Sequence, residues 1–333
     1  MKKTSIKLLC ISFSLVGALT LLACNGNDNI VTIYTSMEDY CIEYLQECVD
    51  EEFPEYKVII EYMGTSNIAA KVLEEKDSSE CDIVFGLEYA LLEKLAKEEA
   101  ICDMSDLYDK NDYLDDTVAS NYSSYFSPCV RQGGAVVVNK TVLSNKGLQK
   151  PTSYNDLLES SYKGLISMPS PKSSGTGYMF YLSLVNSMGE QAALNYFDSL
   201  SSNVLSFTAS GSGPVNSLVQ REVAVGLGMI SQAVEKINSG NTELEILFFD
   251  EGAPFNLYGN TIVIGKNRRQ CVIDVMKYIN NTFTDLNCEK FYPEPVLKDT
   301  NYSVSNYPIN INYSNMSGNT IEKKEDLLSK WSH

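Results

Sequence analysis

Four stretches of the chain place hydroxyls and glycines where an apolar, strand-like run gives way to a helical one. They are Thr35-Ser36, Gly64-Thr65-Ser66, Ser173-Ser174-Gly175-Thr176-Gly177 and Ser210-Gly211-Ser212-Gly213-Pro214. The chemistry such junctions support is anion capture. A helix start exposes unpaired N–H groups and carries a partial positive charge, so it can hold a phosphate without a cationic side chain. Glycine lets the backbone approach a ligand, and Pro214 suits a first helical turn. Ser and Thr are also ordinary N-caps, so one junction alone says little. Four of them at strand ends, where open α/β sheets bind ligands, predict a shared anion cleft. The candidate contacts are Thr35, Ser36, Gly64, Thr65, Ser173, Ser174, Gly175, Thr176, Ser210 and Ser212. Arg131 and Lys172 are the cations that could assist, and Glu251, with Asp250 and Glu88, would hold an ammonium if the ligand is zwitterionic. Neither glycine-rich stretch is a nucleotide loop, because 173–177 lacks the lysine of a P-loop and 210–214 lacks GxGxxG spacing.

The only histidine is His333, the last residue, which removes any internal Ser-His-Asp, Cys-His or His-metal site. No catalytic residue, metal set or cofactor is assigned. The nine cysteines include Cys10 and Cys24 near the start. The others, Cys41, Cys48, Cys81, Cys102, Cys129, Cys271 and Cys288, are an odd, scattered set with no CxxC, and are expected as small buried hydrophobes.

The elements that must position the junctions alternate along the chain. Strand-like runs at 30–34, 58–62 and 82–86 are separated by helical patterns, the first with Ile42, Leu45, Val49 and Phe53 on one face. Such alternation predicts parallel βαβ units. A polar stretch from 105 to 128 leads into Gly133–Asn139, expected to cross into a second lobe, where strands at 164–168, 204–208, 223–229 and 244–249 alternate with helices. The run 261–264 and a helix near 271–282 are expected to return to the first lobe, with a closing tail helix carrying Leu327, Leu328 and Trp331.

Lys2 and Lys3 precede an apolar run that ends in Leu21-Leu22-Ala23-Cys24, followed at once by polar residues. The run is shorter than the ~20 residues of a bilayer span, so it reads as a signal peptide rather than a membrane helix. The segment resembles the lipobox of bacterial lipoproteins, which implies acylation of Cys24 and a lipid-anchored chain on the extracytoplasmic face of the cell membrane. The formal net charge is -17, and the signal contains only positive charge. So acidic a chain argues against nucleic acid or a bare anionic membrane surface as partner.

The mature chain resembles the extracellular solute-binding proteins of bacterial ABC transporters, in the group of ferric-iron, thiamine, 2-aminoethylphosphonate and phosphorylated-sugar binders. The resemblance is carried by Val31–Ser36, Gly64-Thr65, Asp82–Gly86, Pro151–Leu158, Lys163-Gly164, Pro171–Gly177, Ser210–Pro214, Glu222–Gly226 and Glu251-Gly252, and runs from about Ile30 to Trp331. It implies a type II periplasmic-binding-protein fold: two α/β lobes, each a mixed sheet flanked by helices, joined by two hinge crossings. The expected division is signal peptide 1–23, tether 24–29, lobe 1 from 30–128 plus 256–333, lobe 2 from 139–248, and crossings at 129–138 and 249–255. It further implies a monomer that presents a small-molecule ligand to ABC permease subunits. In phosphonate and sugar-phosphate binders of the group, the segment matching Ser173–Thr176 lines the anion pocket, so a phosphate- or phosphonate-bearing anion is the expected ligand. Ferric iron is the runner-up, although the adjacent tyrosines of ferric binders are replaced here by Met229-Ile230-Ser231. Thiamine or a polyamine, and an exported α/β enzyme, are the remaining alternatives.

Overall fold

The structure, a computed structural model, describes residues 29–333. The expected signal peptide and Cys24 lie outside the described residues.

The first part of the chain alternates as expected: β1 (Ile30–Thr35), α1 (Asp39–Glu52), β2 (Lys57–Tyr62), α2 (Thr65–Glu75), β3 (Ile83–Glu88) and α3 (Tyr89–Lys97). Helix α1 buries Cys41, Leu45 and Val49, four residues apart, against the sheet. β3 is buried at all six positions, as befits a strand covered on both faces. β1 pairs in parallel with both β2 and β3.

The chain then enters β4 (Ser127–Asn139), a 13-residue strand that begins earlier than the apolar run alone suggests. It is followed by α4 (Lys140–Lys146), β5 (Ile166–Pro169), α5 (Gly175–Met188), α6 (Glu190–Ser201), β6 (Val204–Thr208), α7 (Gly213–Val219), β7 (Val225–Met229), α8 (Ile230–Asn238) and β8 (Leu244–Leu247). The last part comprises β9 (Phe255–Ile262), α9 (Gln270–Tyr278), α10 (Thr284–Phe291) and α11 (Ile321–Lys330).

β4 belongs to both lobes. Its first half, 127–133, pairs antiparallel with β9, and 134–138 pairs antiparallel with β7. The strand order is therefore β2-β1-β3-β9-β4 on one side and β4-β7-β5-β6 on the other, with β8 on the edge of β4. The return crossing precedes β9, and the Gly134 N–H donates to the Pro254 carbonyl at 2.7 Å, tying the two crossings together. One core gathers Ile33, Leu45, Phe85, Val272 and Phe283, and the other gathers Ile166, Tyr178, Phe180, Phe197 and Leu227.

The tail departs from the expected division. Residues 256–333 were expected in lobe 1, but Leu327 and Trp331 enter the core of lobe 2. Trp331 sits 5.1 Å from the Tyr181 ring and 5.0 Å from Phe197. Val304, Tyr307 and Ile311 likewise pack against Ala135, Ile230 and Val234. The same helix α11 reaches back to lobe 1, where Lys94 pairs with Glu325 and Lys97 with Glu322. Such exposed pairs add little; the buried aromatic and aliphatic side chains hold the tail across both lobes. Lys324, also buried, pairs with buried Glu88 at the end of β3. Burial pulls the Lys324 ammonium down, and the adjacent Glu88 carboxylate works against that pull.

The seven cysteines of the described residues are free, and all but half-buried Cys48 are buried. Among the described residues, no helix is long and apolar enough to cross a membrane.

Candidate functional site

The two lobes meet over a narrow polar cavity. Lobe 1 contributes Ser36, Glu38, Tyr62, Gly64 and Thr65; lobe 2 contributes Ser173, Ser174, Gly175, Thr176, Ala209, Ser210 and Gly211. The crossing strands add Gln132 from β4 and Tyr258 from β9. Among the described residues, neither lysine nor arginine lines it.

Two helix starts open onto this space from opposite lobes. α2 begins at Thr65, and its N-cap Gly64 is extended (φ -63, ψ 148) with no side chain to cap the helix. α5 begins at Gly175, and its N-cap Ser174 makes no side-chain capping bond, which leaves that hydroxyl uncommitted. The buried hydroxyls Thr65 Oγ1 and Ser173 Oγ also lack a hydrogen-bond partner. A buried polar atom without a partner is uncommon and costs about 1–3 kcal/mol, so two around one cavity indicate groups kept for a ligand.

The approach of the lobes is tight. A Cβ at Gly64 would come within 2.9 Å of the Ser173 carbonyl oxygen. One at Gly175 would meet Glu88 Oε2 at 2.7 Å and Tyr258 Oη at 2.9 Å. Beside these contacts, Ser66 Oγ donates to the Lys172 carbonyl at 2.9 Å, and Tyr40 Oη donates to Ser231 Oγ at 3.2 Å, both across the cleft.

Of the residues expected at the site, Ser36, Gly64, Thr65, Ser173, Ser174, Gly175, Thr176 and Ser210 line the cavity. Three do not. Thr35 is fully buried beneath it, and its Oγ1 accepts from the Met37 N–H at 3.1 Å, a local turn role. Ser212 is the N-cap residue of α7 without a side-chain capping bond, its Oγ 3.1 Å from Ser210 Oγ and its carbonyl accepting from Gln232 Nε2. Glu251 sits on the return crossing, where its charge acts on Tyr154 and Tyr196 of the lobe 2 core. Nor do the assisting charges reach the cavity. Arg131 pairs with Asp116, Lys172 is exposed, and Glu88 is neutralised by Lys324 and accepts from Asn256 Nδ2 at 3.1 Å.

Four lining side chains escaped the sequence pattern: Glu38, Tyr62, Gln132 and Tyr258. Glu38 Oε2 accepts from Gln132 Nε2 at 3.0 Å and from Tyr292 Oη at 3.1 Å. Burial pushes its carboxyl up to about 7, with these hydrogen bonds opposing the shift. Burial also raises the Tyr62 and Tyr258 phenols, so both are neutral donors at physiological pH. Among the described residues, no group of three or more His, Cys, Asp or Glu is placed to hold a metal ion. His333 pairs with Asp198 on lobe 2, away from the cavity.

Comparison with known proteins agrees with this architecture. The sequence profile described as bacterial extracellular solute-binding protein matches residues 83–316. No curated protein matches the chain by sequence. Among solved structures, the periplasmic binding protein P5PA superposes with a TM-score of 0.78 at 20% identity, covering 91% of this chain and 98% of its own. The periplasmic binding protein AfuA from Actinobacillus pleuropneumoniae, with exogenous fructose-6-phosphate bound, gives 0.72 at 21% identity over 90% and 97%. Iron-bound HitA from Pseudomonas aeruginosa gives 0.73 at 14% identity over 90% and 97%. At these identities the likeness establishes the type II periplasmic-binding-protein fold, with its two lobes and intervening cleft.

Proposed function

This chain belongs to the bacterial extracellular solute-binding protein family, the substrate-capturing component of ABC importers, and from that premise we propose that its cavity holds a small phosphate- or phosphonate-bearing anion. The observation that carries the reading is the pair of partnerless buried hydroxyls, Thr65 Oγ1 and Ser173 Oγ, at facing helix starts. With no cation in the lining, the anion is held by hydroxyls and first-turn N–H groups, as helix starts permit. Each hydrogen bond to a charged group contributes ~1.5–3 kcal/mol, so four or five reach the roughly -8 kcal/mol of micromolar binding after closure costs. The close approach of the lobes around the cavity favours a compact solute. The protein binds and delivers without turnover, as a monomer, tethered outside the cytoplasmic membrane through acylated Cys24 and handing its ligand to the permease when the lobes close.

Ferric iron is the second reading, because Tyr62, Tyr258 and Glu38 share the cavity. It requires deprotonating phenols that burial already makes weaker acids. The sole tryptophan, which would stack a thiamine-like cation, is in the lobe 2 core instead. Calorimetry with 2-aminoethylphosphonate, sugar phosphates and ferric citrate separates these readings. Thr176→Val removes one hydroxyl without opening a cavity and is expected to weaken a phosphorus ligand by about 1–3 kcal/mol. Tight ferric binding with a tyrosinate charge-transfer band, untouched by Thr176→Val, would reject the anion reading in favour of iron.

A further inference from the structure

Taking the anion reading as given, we infer that Glu38 selects a ligand carrying a primary ammonium beside its phosphate or phosphonate, so that the solute is a small zwitterion. Among the described residues, Glu38 is the only acidic side chain lining the cavity, and no lysine or arginine lines it. The other carboxylates expected to meet a ligand cation are committed elsewhere: Glu88 to Lys324, and Glu251 to the far side of the return crossing. Glu38 is held in place by neutral donors alone, Gln132 Nε2 and Tyr292 Oη.

A buried carboxylate next to an anion site repels a purely anionic ligand. A ligand whose ammonium meets Glu38 converts that repulsion into attraction. The other titratable groups acting on or acted on by this carboxyl are Asp39, Tyr40, Cys41, Tyr62, Tyr258 and Tyr292, none of them a cation. Burial raises the Glu38 carboxyl to about 7, and the hydrogen bonds it accepts only partly oppose that shift. Glu38 and the partnerless hydroxyls line the same cavity, so the two charged ends of the ligand must be close together.

Matched probes test the assignment by calorimetry at about pH 8, where Glu38 is ionised: 2-aminoethylphosphonate against ethylphosphonate, and phosphoethanolamine against ethyl phosphate. The amine-bearing member of at least one pair is expected to bind wild-type protein about tenfold tighter or better, a difference of about 1.4 kcal/mol. Glu38→Gln should shrink the gap to within about twofold, chiefly by weakening the amine. Glu38→Asp keeps the charge and should keep the amine preferred; it covers the case in which Glu38→Gln fails to fold. Equal binding of the two members of each pair to wild-type protein would overturn the role of Glu38 while leaving the anion reading standing. A gap that persists in folded Glu38→Gln would do the same. If none of the four probes, nor inorganic phosphate, binds wild-type protein, the anion reading itself falls and takes this assignment with it.

Discussion

Replacing Gly64 by alanine asks whether ligand binding requires the lobes to come as close as they do here. Gly64 has φ -63 and ψ 148, a conformation that alanine adopts without strain. With the lobes apart, the substitution should therefore be neutral or stabilise by about 0.4–1 kcal/mol through the unfolded chain. With the lobes together, the new Cβ stands 2.9 Å from the Ser173 carbonyl oxygen, where ordinary contact begins at 3.4 Å. Backbone faces it, so no side chain can swing aside; the lobes must separate by about half an ångström, since the two distances differ by that amount. The separation stretches the adjacent bond from Ser66 Oγ to the Lys172 carbonyl and moves Thr65 away from Ser173. Overpacking of this kind costs about 1–3 kcal/mol, which at 1.4 kcal/mol per factor of ten predicts binding roughly 5- to 150-fold weaker. Calorimetry measures the loss, small-angle scattering the reduced compaction on adding ligand, and thermal melting the equal or slightly higher stability of the free protein. Wild-type affinity together with wild-type compaction would refute the geometry on which the site rests.

Two further outcomes are expected. Lys324→Met should lower stability by about 3–5 kcal/mol, because it strands the buried Glu88 carboxylate; adding Glu88→Gln should restore much of it, and a single variant that melts like wild type would show that the pair carries no charge. Cys24→Ala should abolish lipid labelling and release the protein into the soluble fraction, and retention on membranes after a high-salt wash would contradict the anchor.

The alternation of strands and helices was legible because the two differ in apolar period, and at α2, α5 and α7 a glycine or hydroxyl also marks the helix start. The same signal led to Thr65, Ser173, Ser174 and Thr176, which fall at helix starts and line the cavity. It misjudged Thr35 and Ser212 because a junction gives the neighbourhood, not the direction of a side chain. Thr35 is fully buried in β1, whereas the next residue, Ser36, faces the cavity. Gln132 and Tyr258 were invisible for a different reason. They lie on β4 and β9, crossing strands whose pairing is long-range, so no local pattern marks which residues face the cleft. Tyr62 closes β2, and Glu38 is the N-cap of α1 with no side-chain bond to the helix; an acid two residues after Thr35-Ser36 was the one available clue. The stripe of Leu327, Leu328 and Trp331 correctly told that α11 buries a face, but an amphipathic stripe does not name its partner, and the partner is lobe 2.

The central claim is that a phosphorus anion is captured between the starts of α2 and α5, and a crystal structure of the protein with 2-aminoethylphosphonate tests it most directly. The account predicts tetrahedral density within hydrogen-bond distance of Thr65 Oγ1, Ser173 Oγ and the first N–H groups of α5, with the amine toward Glu38. Density for the ligand outside this cavity, or a metal ion held there by Tyr62, Tyr258 and Glu38, would contradict it.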